Sequence, residues 1–126
     1  MRGEAAAYTA EGTFEQTEEG FLLVYDEPEE LDMGGVTTAL HVSKGRAVLT
    51  RTGAVRSKFR FAGGARHSSV YETPHGSFPA EVVTHALRSR LDARGGLLDL
   101  RYTLTIGGAA DEHRLKLLIR TEGNEG

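Results

Sequence analysis

The chain contains no cysteine, only three prolines, and no apolar run long enough to cross a bilayer. The absence of cysteine excludes disulfides, thiolate metal sites and cysteine nucleophiles, and it is compatible with a reducing compartment. A membrane-spanning helix needs about 18 apolar residues, whereas the apolar run FLLVY and the mainly apolar segment LKLLI have the length of a strand. The first residues, MRGEAAAYTAEG, lack the apolar segment of a secretory signal. We therefore expect a cytoplasmic protein that is not associated with a membrane.

An excess of positive charge is also missing. The 126 residues carry a formal charge of -3, with a pI near 5.9, and a dedicated nucleic-acid binder normally shows a basic excess. We therefore expect no nucleic-acid partner. Charged residues make up 26% and hydrophobic residues 39% of the chain, which is typical of one globular domain, here residues 1–126. Arginine dominates the basic residues, which either serves recognition of phosphate or carboxylate or reflects codon bias, and we favour codon bias.

Glycine, in contrast, is abundant and regularly spaced. Sixteen glycines separate short segments in which apolar and polar residues alternate. Turn signals about every 10 residues, with strands between them, are typical of antiparallel barrels and sandwiches. The sequence therefore predicts an all-β fold.

Alternation with a period of two is clearest in GGLLDLRYTLTIGG. Apolar side chains at Leu98, Leu100, Tyr102, Leu104 and Ile106 share one face, and polar side chains share the other. This period fits a half-buried strand and would scramble the face of a helix. The segments HRLKLLIRT, VRSKFRF and VTTALHV show the same pattern.

The nearest candidate for a helix is EVVTHALRSRLD, but its β-branched residues favour a strand. A strand over the whole of Gly76–Asp92 is too long to stay straight, so we expect a bend at a bulge or near Pro79. Consecutive strands joined by tight turns form a meander. About eight such strands are most stable when the meander is closed, or nearly closed, into a β-barrel.

The segment YETPHG predicts a β-turn at residues 73–76, because proline suits the second position and glycine the fourth. His75 then lies at an exposed hairpin tip. A general base needs an orienting partner, and the sequence supplies none for His75. We therefore expect a structural turn and no catalytic residue here.

At this point a resemblance becomes visible. The segments VYDEPEE, MGGVTTALHVSKGRAVLTRTGAVRSKFRFAGGARHSSVYETPHGSF and GGLLDLRYTLTI resemble the YwiB family of uncharacterised bacterial proteins. The similarity extends over roughly residues 11–122, and its most specific parts are TRTGAV and YETPHG. The resemblance implies a calycin-like β-barrel, related to lipocalins, and it supplies no reaction, cofactor or site residues.

The beginning of the chain departs from the family pattern. Family members usually have a further strand before the part matched by TAEG, and MRGEAAAY is too short for one. Either the start is misplaced or the barrel lacks a strand. An open seam would leave backbone groups unpaired, and either a second chain, for instance in a homodimer, or a side loop would cover them.

No metal site or cofactor is expected. The five histidines show no ligand spacing, and the acidic cluster DEPEELD lacks the register of a calcium loop, so we interpret it as a solvated loop. Glu72 and Glu81 lie on strands joined by the hairpin and could face each other across it. Exposed glutamates are nevertheless common on sheets.

Arg51 is the most informative polar residue. If Ala47 and Leu49 face inward, Arg51 does too, and a buried guanidinium needs a carboxylate from the protein or from a ligand. That orientation would form an anion-recognising pocket lined by the aromatic residues Phe59, Tyr71 and Tyr102. If Val48 faces inward instead, Arg51 lies outside. The run RAVLTR fits both registers, and we favour the outside one.

Three functions remain open. The leading hypothesis is a barrel that binds a small, partly apolar molecule in or near its interior. The alternative is a structural or interaction protein that acts through an open edge or a dimer contact and has no ligand cavity. An enzyme is less favoured, because no residue constellation predicts a reaction. Arg56, Lys58 and Arg60 form a basic stripe, which we interpret as a solvated exterior.

Overall fold

A computed structural model describes residues 11–27 and 35–121. These residues form nine β-strands: β1 Gly12–Gln16, β2 Gly20–Asp26, β3 Val36–Ser43, β4 Arg46–Gly53, β5 Ser57–Ala62, β6 Arg66–Thr73, β7 Gly76–Asp92, β8 Gly95–Ile106 and β9 Ala109–Arg120. The described ranges contain no helix that is long and apolar enough to cross a bilayer.

Every strand pairs antiparallel with its neighbour in sequence, in two sheets. The first sheet has the order β1-β2-β3-β4-β5 and the second the order β6-β7-β8-β9. The consecutive strands β5 and β6 belong to different sheets. An isolated antiparallel bridge links Arg56, just before β5, to Glu72, near the end of β6. The predicted all-β antiparallel meander is confirmed. The count is nine strands where about eight were expected, and the described ladders form two sheets instead of one closed ring.

The core lies between the inner faces of the two sheets. It is built from the alternate residues of β3, β4, β5, β7 and β8, which include Leu40, Leu49, Phe59, Phe61, Val82, Leu98 and Leu100. Leu98 and Leu100 have no exposed surface, and Phe59 and Phe61 are each 1% exposed. The alternation predicted for these strands is therefore confirmed. Burial of such side chains contributes about 1.5–3 kcal/mol each.

The longest strand, β7, has 17 residues and bends at a bulge. Its register with β8 shifts between Thr84 and Ala86, so that His85 is the extra residue. Val82 and Thr84 face the core before the bulge, and Leu87 and Leu91 pack against it afterwards. The predicted strand and its bulge are confirmed. The bulge changes which residues face inward, because one extra residue reverses the alternation.

The turn at YETPHG is also confirmed. Thr73 pairs with Gly76 at the hairpin end, and the Thr73 hydroxyl accepts a hydrogen bond of 3.0 Å from the backbone N–H of His75. Gly76 has a φ of 137°, in a region that L side chains rarely adopt. His75 is exposed at the tip, as the turn requires.

Candidate ligand-binding site

Arg51 belongs to the inner face of β4. Ala47 and Leu49 are both buried, and the period of two places Arg51 on their side, opposite Thr38 of β3 and Ser57 of β5. Its side chain is 22% exposed. The favoured outward orientation of Arg51 was therefore wrong. Val48 suggested it, but Val48 belongs to a partly apolar outer face and is only half-buried.

A buried carboxylate lies beside this guanidinium. Glu27 Oε2 accepts a hydrogen bond of 2.5 Å from the hydroxyl of Thr38, and the same oxygen is 3.9 Å from Arg51 Nε. The contact between Thr38 and Glu27 is a short hydrogen bond to a carboxylate. The contact between Arg51 and Glu27 is an ion pair without a hydrogen bond. The backbone N–H of Glu27 donates to the Val36 carbonyl at 2.9 Å, which places Glu27 at the end of the β2–β3 ladder.

The burial of Glu27 contradicts the expectation from the sequence. The acidic segment DEPEELD was expected to be a solvated loop, and Asp26 is indeed exposed. Glu27, however, is 6% exposed and belongs to the interior. Glu29, Glu30 and Asp32 lie outside the described residues. Alternation along β2 could have indicated the burial of Glu27, since Tyr25 and Glu27 fall on the same side as the apolar residue Leu23.

Tyr102 lies close to the same charges. Burial raises the pKa of its hydroxyl above the ordinary value of 10.0, and the positive charge of Arg51 opposes this shift. The hydroxyl therefore stays protonated at neutral pH and can donate a hydrogen bond. Its ring packs on Phe61, with centroids 4.8 Å apart, and stacks on His113 of β9 at 5.2 Å.

Two neighbouring polar atoms are buried without a hydrogen-bond partner among the described residues. They are Nε of Arg51 and Oγ of Ser57, which belong to cross-strand neighbours on β4 and β5. Ser57 is 7% exposed. An unsatisfied buried donor or acceptor costs about 1–3 kcal/mol, so both atoms favour the approach of a polar group. The Nδ1 atom of His67 is in the same condition, but His67 lies elsewhere on β6.

Both residues border an open groove of about 510 Å³. It runs along the ends of β4 and β5 to β6, and its lining residues are Thr50, Arg51, Thr52, Arg56, Ser57, Lys58, Ser69, Val70 and Glu72. Three of these side chains are cationic and one is anionic, so the groove is electropositive. The Ser69 hydroxyl donates to the Lys58 carbonyl at 2.6 Å, which joins the two walls. The basic stripe of the sequence analysis therefore contributes two of its members to the groove.

The four predicted pocket residues are only partly brought together. Arg51 lines the groove, but the described lining does not include Phe59, Tyr71 or Tyr102. Phe59 and Tyr102 are core residues, and Tyr71 packs against the same core. Of the four residues, only Arg51 therefore lines the groove, whereas the three aromatic side chains belong to the core or pack against it. Ser57 was missed, because a serine on a short strand carries no distinctive signal, and Glu27 was missed, because it was assigned to a solvated acidic loop.

The carboxylate pair suggested by the hairpin is absent from the ladder. Glu72 is opposite Ser77, and Glu81 is opposite Ser68, so the two glutamates do not face each other. Glu81 instead accepts a hydrogen bond from Arg66 Nη1 at 3.0 Å. Within residues 11–27 and 35–121, no group of three or more histidine, aspartate or glutamate side chains is placed to hold a metal ion.

Comparisons with known proteins agree with this architecture. The family model described as "Domain of unknown function (DUF1934)" matches residues 2–118. The "Uncharacterized beta-barrel protein YwiB" of Bacillus subtilis (strain 168) is 33% identical over 95 residues, which are 75% of this chain and 66% of that protein. The matched part thus spans a little under two thirds of the relative's length. The crystal structure of the ywiB protein from Bacillus subtilis superposes with a TM-score of 0.69 and 28% identity, over 80% of this chain and 70% of that one.

Proposed function

The chain belongs to the DUF1934 family, and from that premise we propose that it is a cytoplasmic barrel that binds a small, partly apolar molecule through an anionic group. In this proposal the two sheets close into a calycin-like barrel, and the ligand lies in the groove that opens on Arg51. The name of the Bacillus relative, a β-barrel protein, supports the closure.

One observation carries the proposal. Nε of Arg51 and Oγ of Ser57 are buried, belong to cross-strand neighbours and have no hydrogen-bond partner among the described residues, and both residues line the groove. A carboxylate or phosphate oxygen at this position would accept from both donors, and hydrogen bonds to charged groups contribute about 1.5–3 kcal/mol each. The groove has a volume of about 510 Å³ and is open to solvent, so a small ligand would lie along the surface with its anionic end towards these donors.

The rest of the lining fits such a ligand. Arg56 and Lys58 add positive charge at the rim, and Val70, which is half exposed, offers an apolar contact. Glu27, which accepts a hydrogen bond from Thr38, lies beside the guanidinium as a counter-ion. The ligand is therefore expected to have its anionic end at Arg51 and its apolar part along Val70.

Binding can be tested with a medium-chain carboxylate and its uncharged amide, each titrated calorimetrically into the wild-type protein. We expect the carboxylate to bind and the amide to bind more weakly. Arg51→Met should weaken carboxylate binding about 10- to 100-fold, which corresponds to the loss of a charged hydrogen bond. Arg60→Met is the matched control, because Arg60 is exposed on the same strand as Ser57 but does not line the groove.

Two outcomes would contradict the proposal. The first is that carboxylate and amide bind equally. The same holds if neither binds and native mass spectra of protein taken from cells show no bound molecule. The second is a loss of affinity in Arg60→Met as large as in Arg51→Met. Either would show that Arg51 does not recognise an anion.

Interaction through an open sheet edge is the second candidate function. Among the described strands, β9 pairs only with β8 and β1 only with β2. An unpaired edge can accept a strand from another chain. Amides of β9 that become protected from hydrogen exchange only at high protein concentration, in a protein that carries no ligand, would favour this candidate over ligand binding.

A further inference from the structure

A second surface feature lies on β7, β8 and β9, which contribute no residue to the described lining of the groove. Six cationic side chains point outward from neighbouring positions of β7, β8 and β9, and all six are exposed: Arg88, Arg90, Arg101, Arg114, Lys116 and Arg120. We call this set the basic face. Its rows follow from the register, in which Arg101 is opposite Arg114 and Asp99 lies between Arg88 and Lys116.

The charges of this face are largely uncompensated. Asp99 is bound by Arg114, with Oδ2 and Nη2 at 2.8 Å, and Arg114, Lys116 and Arg88 all lower its pKa. Within the described parts of the chain, no carboxylate lies within 4.0 Å of the cationic groups of the other five residues. Like charges on adjacent strands repel each other, so this face favours the approach of an anionic surface.

The centre of the basic face is apolar. Leu118 is 68% exposed and is the most exposed large hydrophobic side chain described. It lies opposite Leu97, and Leu97 lies opposite Arg90. Lys116 and Arg120 flank Leu118 on the outer face of β9, with Arg90 beyond Leu97, and arginine is enriched in protein interfaces. Aromatic side chains on which nucleic-acid bases could stack are absent from these described rows.

The complementary surface is present in the same chain. Residues 3–43 contain ten acidic residues and no lysine or arginine, whereas residues 44–126 contain 14 basic and eight acidic residues. Glu15, Glu18, Glu19 and Asp26 lie on the hairpin of β1 and β2, and all four are exposed. We call β1–β2 and its turn the acidic hairpin. Its outer face has an apolar centre as well, since Glu15 is opposite Leu22 and Thr13 is opposite Val24.

We propose that the basic face docks onto the acidic hairpin of a second copy of this chain, with Leu118 against Leu22 and Val24. The two surfaces lie on different sheets, so the contact is heterologous and joins copies head to tail in a ring or a chain. A polyanion such as nucleic acid fits less well, because the acidic hairpin of the same molecule would repel it. The ligand groove lies on β4, β5 and β6, so variants of one surface leave the other unchanged.

The first measurement is the mass of the wild-type protein by light scattering at two salt concentrations. Between about 0.02 M and 0.5 M sodium chloride the screening length falls from about 20 Å to about 4 Å. We expect a weight-average mass of about twice the 13.6 kDa of the monomer or more at low salt, and at least tenfold weaker association at high salt.

Charge reversal identifies the surfaces. Arg90→Glu with Arg101→Glu removes most of the positive charge of the basic face, and Glu15→Lys with Glu19→Lys cancels the negative charge of the acidic hairpin. Each double variant should lose association by about tenfold or more, and each should melt as cooperatively as the wild type. An equimolar mixture should then associate, because the unaltered basic face of the second variant meets the unaltered acidic hairpin of the first. Arg60→Glu, an exposed reversal on β5, is the control that should leave the mass unchanged.

Three results would overturn the proposal. One is a wild-type protein that stays monomeric at low salt. Another is a mixture of the two double variants that stays as monomeric as its components. The third is a wild-type monomer that binds single-stranded RNA or anionic vesicles through Arg90 and Arg101, which would assign the basic face to a different class of partner.

Discussion

Thr38 and Arg51 both lie beside the buried carboxylate of Glu27, and the geometry predicts that Thr38 binds it more strongly than Arg51 does. The Thr38 hydroxyl donates to Glu27 Oε2 at 2.5 Å and has no exposed surface. Arg51 Nε is 3.9 Å from the same oxygen and makes no hydrogen bond to it. Since Arg51 is the proposed ligand-binding residue, a weak bond to Glu27 leaves its guanidinium available for an anion.

The magnitudes follow from these distances. A hydrogen bond to a charged group contributes about 1.5–3 kcal/mol, so we expect a coupling free energy of about 2 kcal/mol between Glu27 and Thr38. A point-charge pair near 4 Å gains about 4 kcal/mol at an effective dielectric constant of about 20 before desolvation is subtracted. The side chains of Arg51 and Glu27 are 22% and 3% exposed, and the cost of desolvating two charges offsets much of this Coulomb gain. We therefore expect the coupling between Glu27 and Arg51 to be smaller than the coupling between Glu27 and Thr38.

Double-mutant cycles measure both couplings. Glu27→Gln, Thr38→Val and Arg51→Met are combined in pairs, and the free energy of unfolding is taken from urea denaturation at neutral pH. The substitutions keep the side-chain volume nearly unchanged, so no large cavity complicates the comparison. Because Glu27 has further contacts, the effect of Glu27→Gln alone would combine several interactions. The double-mutant cycle isolates the interaction within one pair. A Glu27–Arg51 coupling equal to or larger than the Glu27–Thr38 coupling would refute the reasoning.

Two further predictions concern the core and the charge state of the site. Phe59→Ala should lower the free energy of unfolding by about 3–5 kcal/mol, because Phe59 is 1% exposed. Val70→Ala changes a half-exposed side chain and should change the free energy of unfolding by no more than about 0.5 kcal/mol. Equal losses of stability in denaturation experiments would show that Phe59 is not a core residue. Burial raises the pKa of Tyr102 above its ordinary value of 10.0, so the folded state holds the hydroxyl proton more tightly than the unfolded state does. The free energy of unfolding should therefore fall as the pH rises above 10.0. The free energy of unfolding of wild type and Tyr102→Phe is compared as a function of pH. If it falls equally steeply in both proteins, Tyr102 is not the cause.

The fold was largely predictable because alternation is a local property. Leu98, Leu100 and Tyr102 fall on one face in any strand that includes them, and they are buried. The bulge in β7 was predictable as well, since a strand of 17 residues cannot stay straight against a curved partner. The arrangement of nine strands in two sheets was not predicted, because the number of hydrogen-bonded neighbours depends on how the sheets twist and meet.

The candidate site was predicted less well, and the reasons differ between residues. Arg51 was identified but assigned to the wrong face, because Val48 on the outer face made a short strand compatible with both registers. Glu27 and Ser57 were missed, because their burial depends on which strands pack over them. The basic face was hidden by the net charge of -3, which averages an acidic first third and a basic remainder.

By itself, the sequence determined the strand character of the chain, its turns and the side of each strong strand that is apolar, since all three depend on residues within one or two positions of each other. Tertiary structure alone decided that Glu27 and Thr38 lie behind Arg51, that Ser57 is its neighbour, and that six cations gather on β7, β8 and β9. These groupings join residues from different strands. Their positions depend on register and sheet packing, which are set by the burial of the whole core and leave no mark on any single segment.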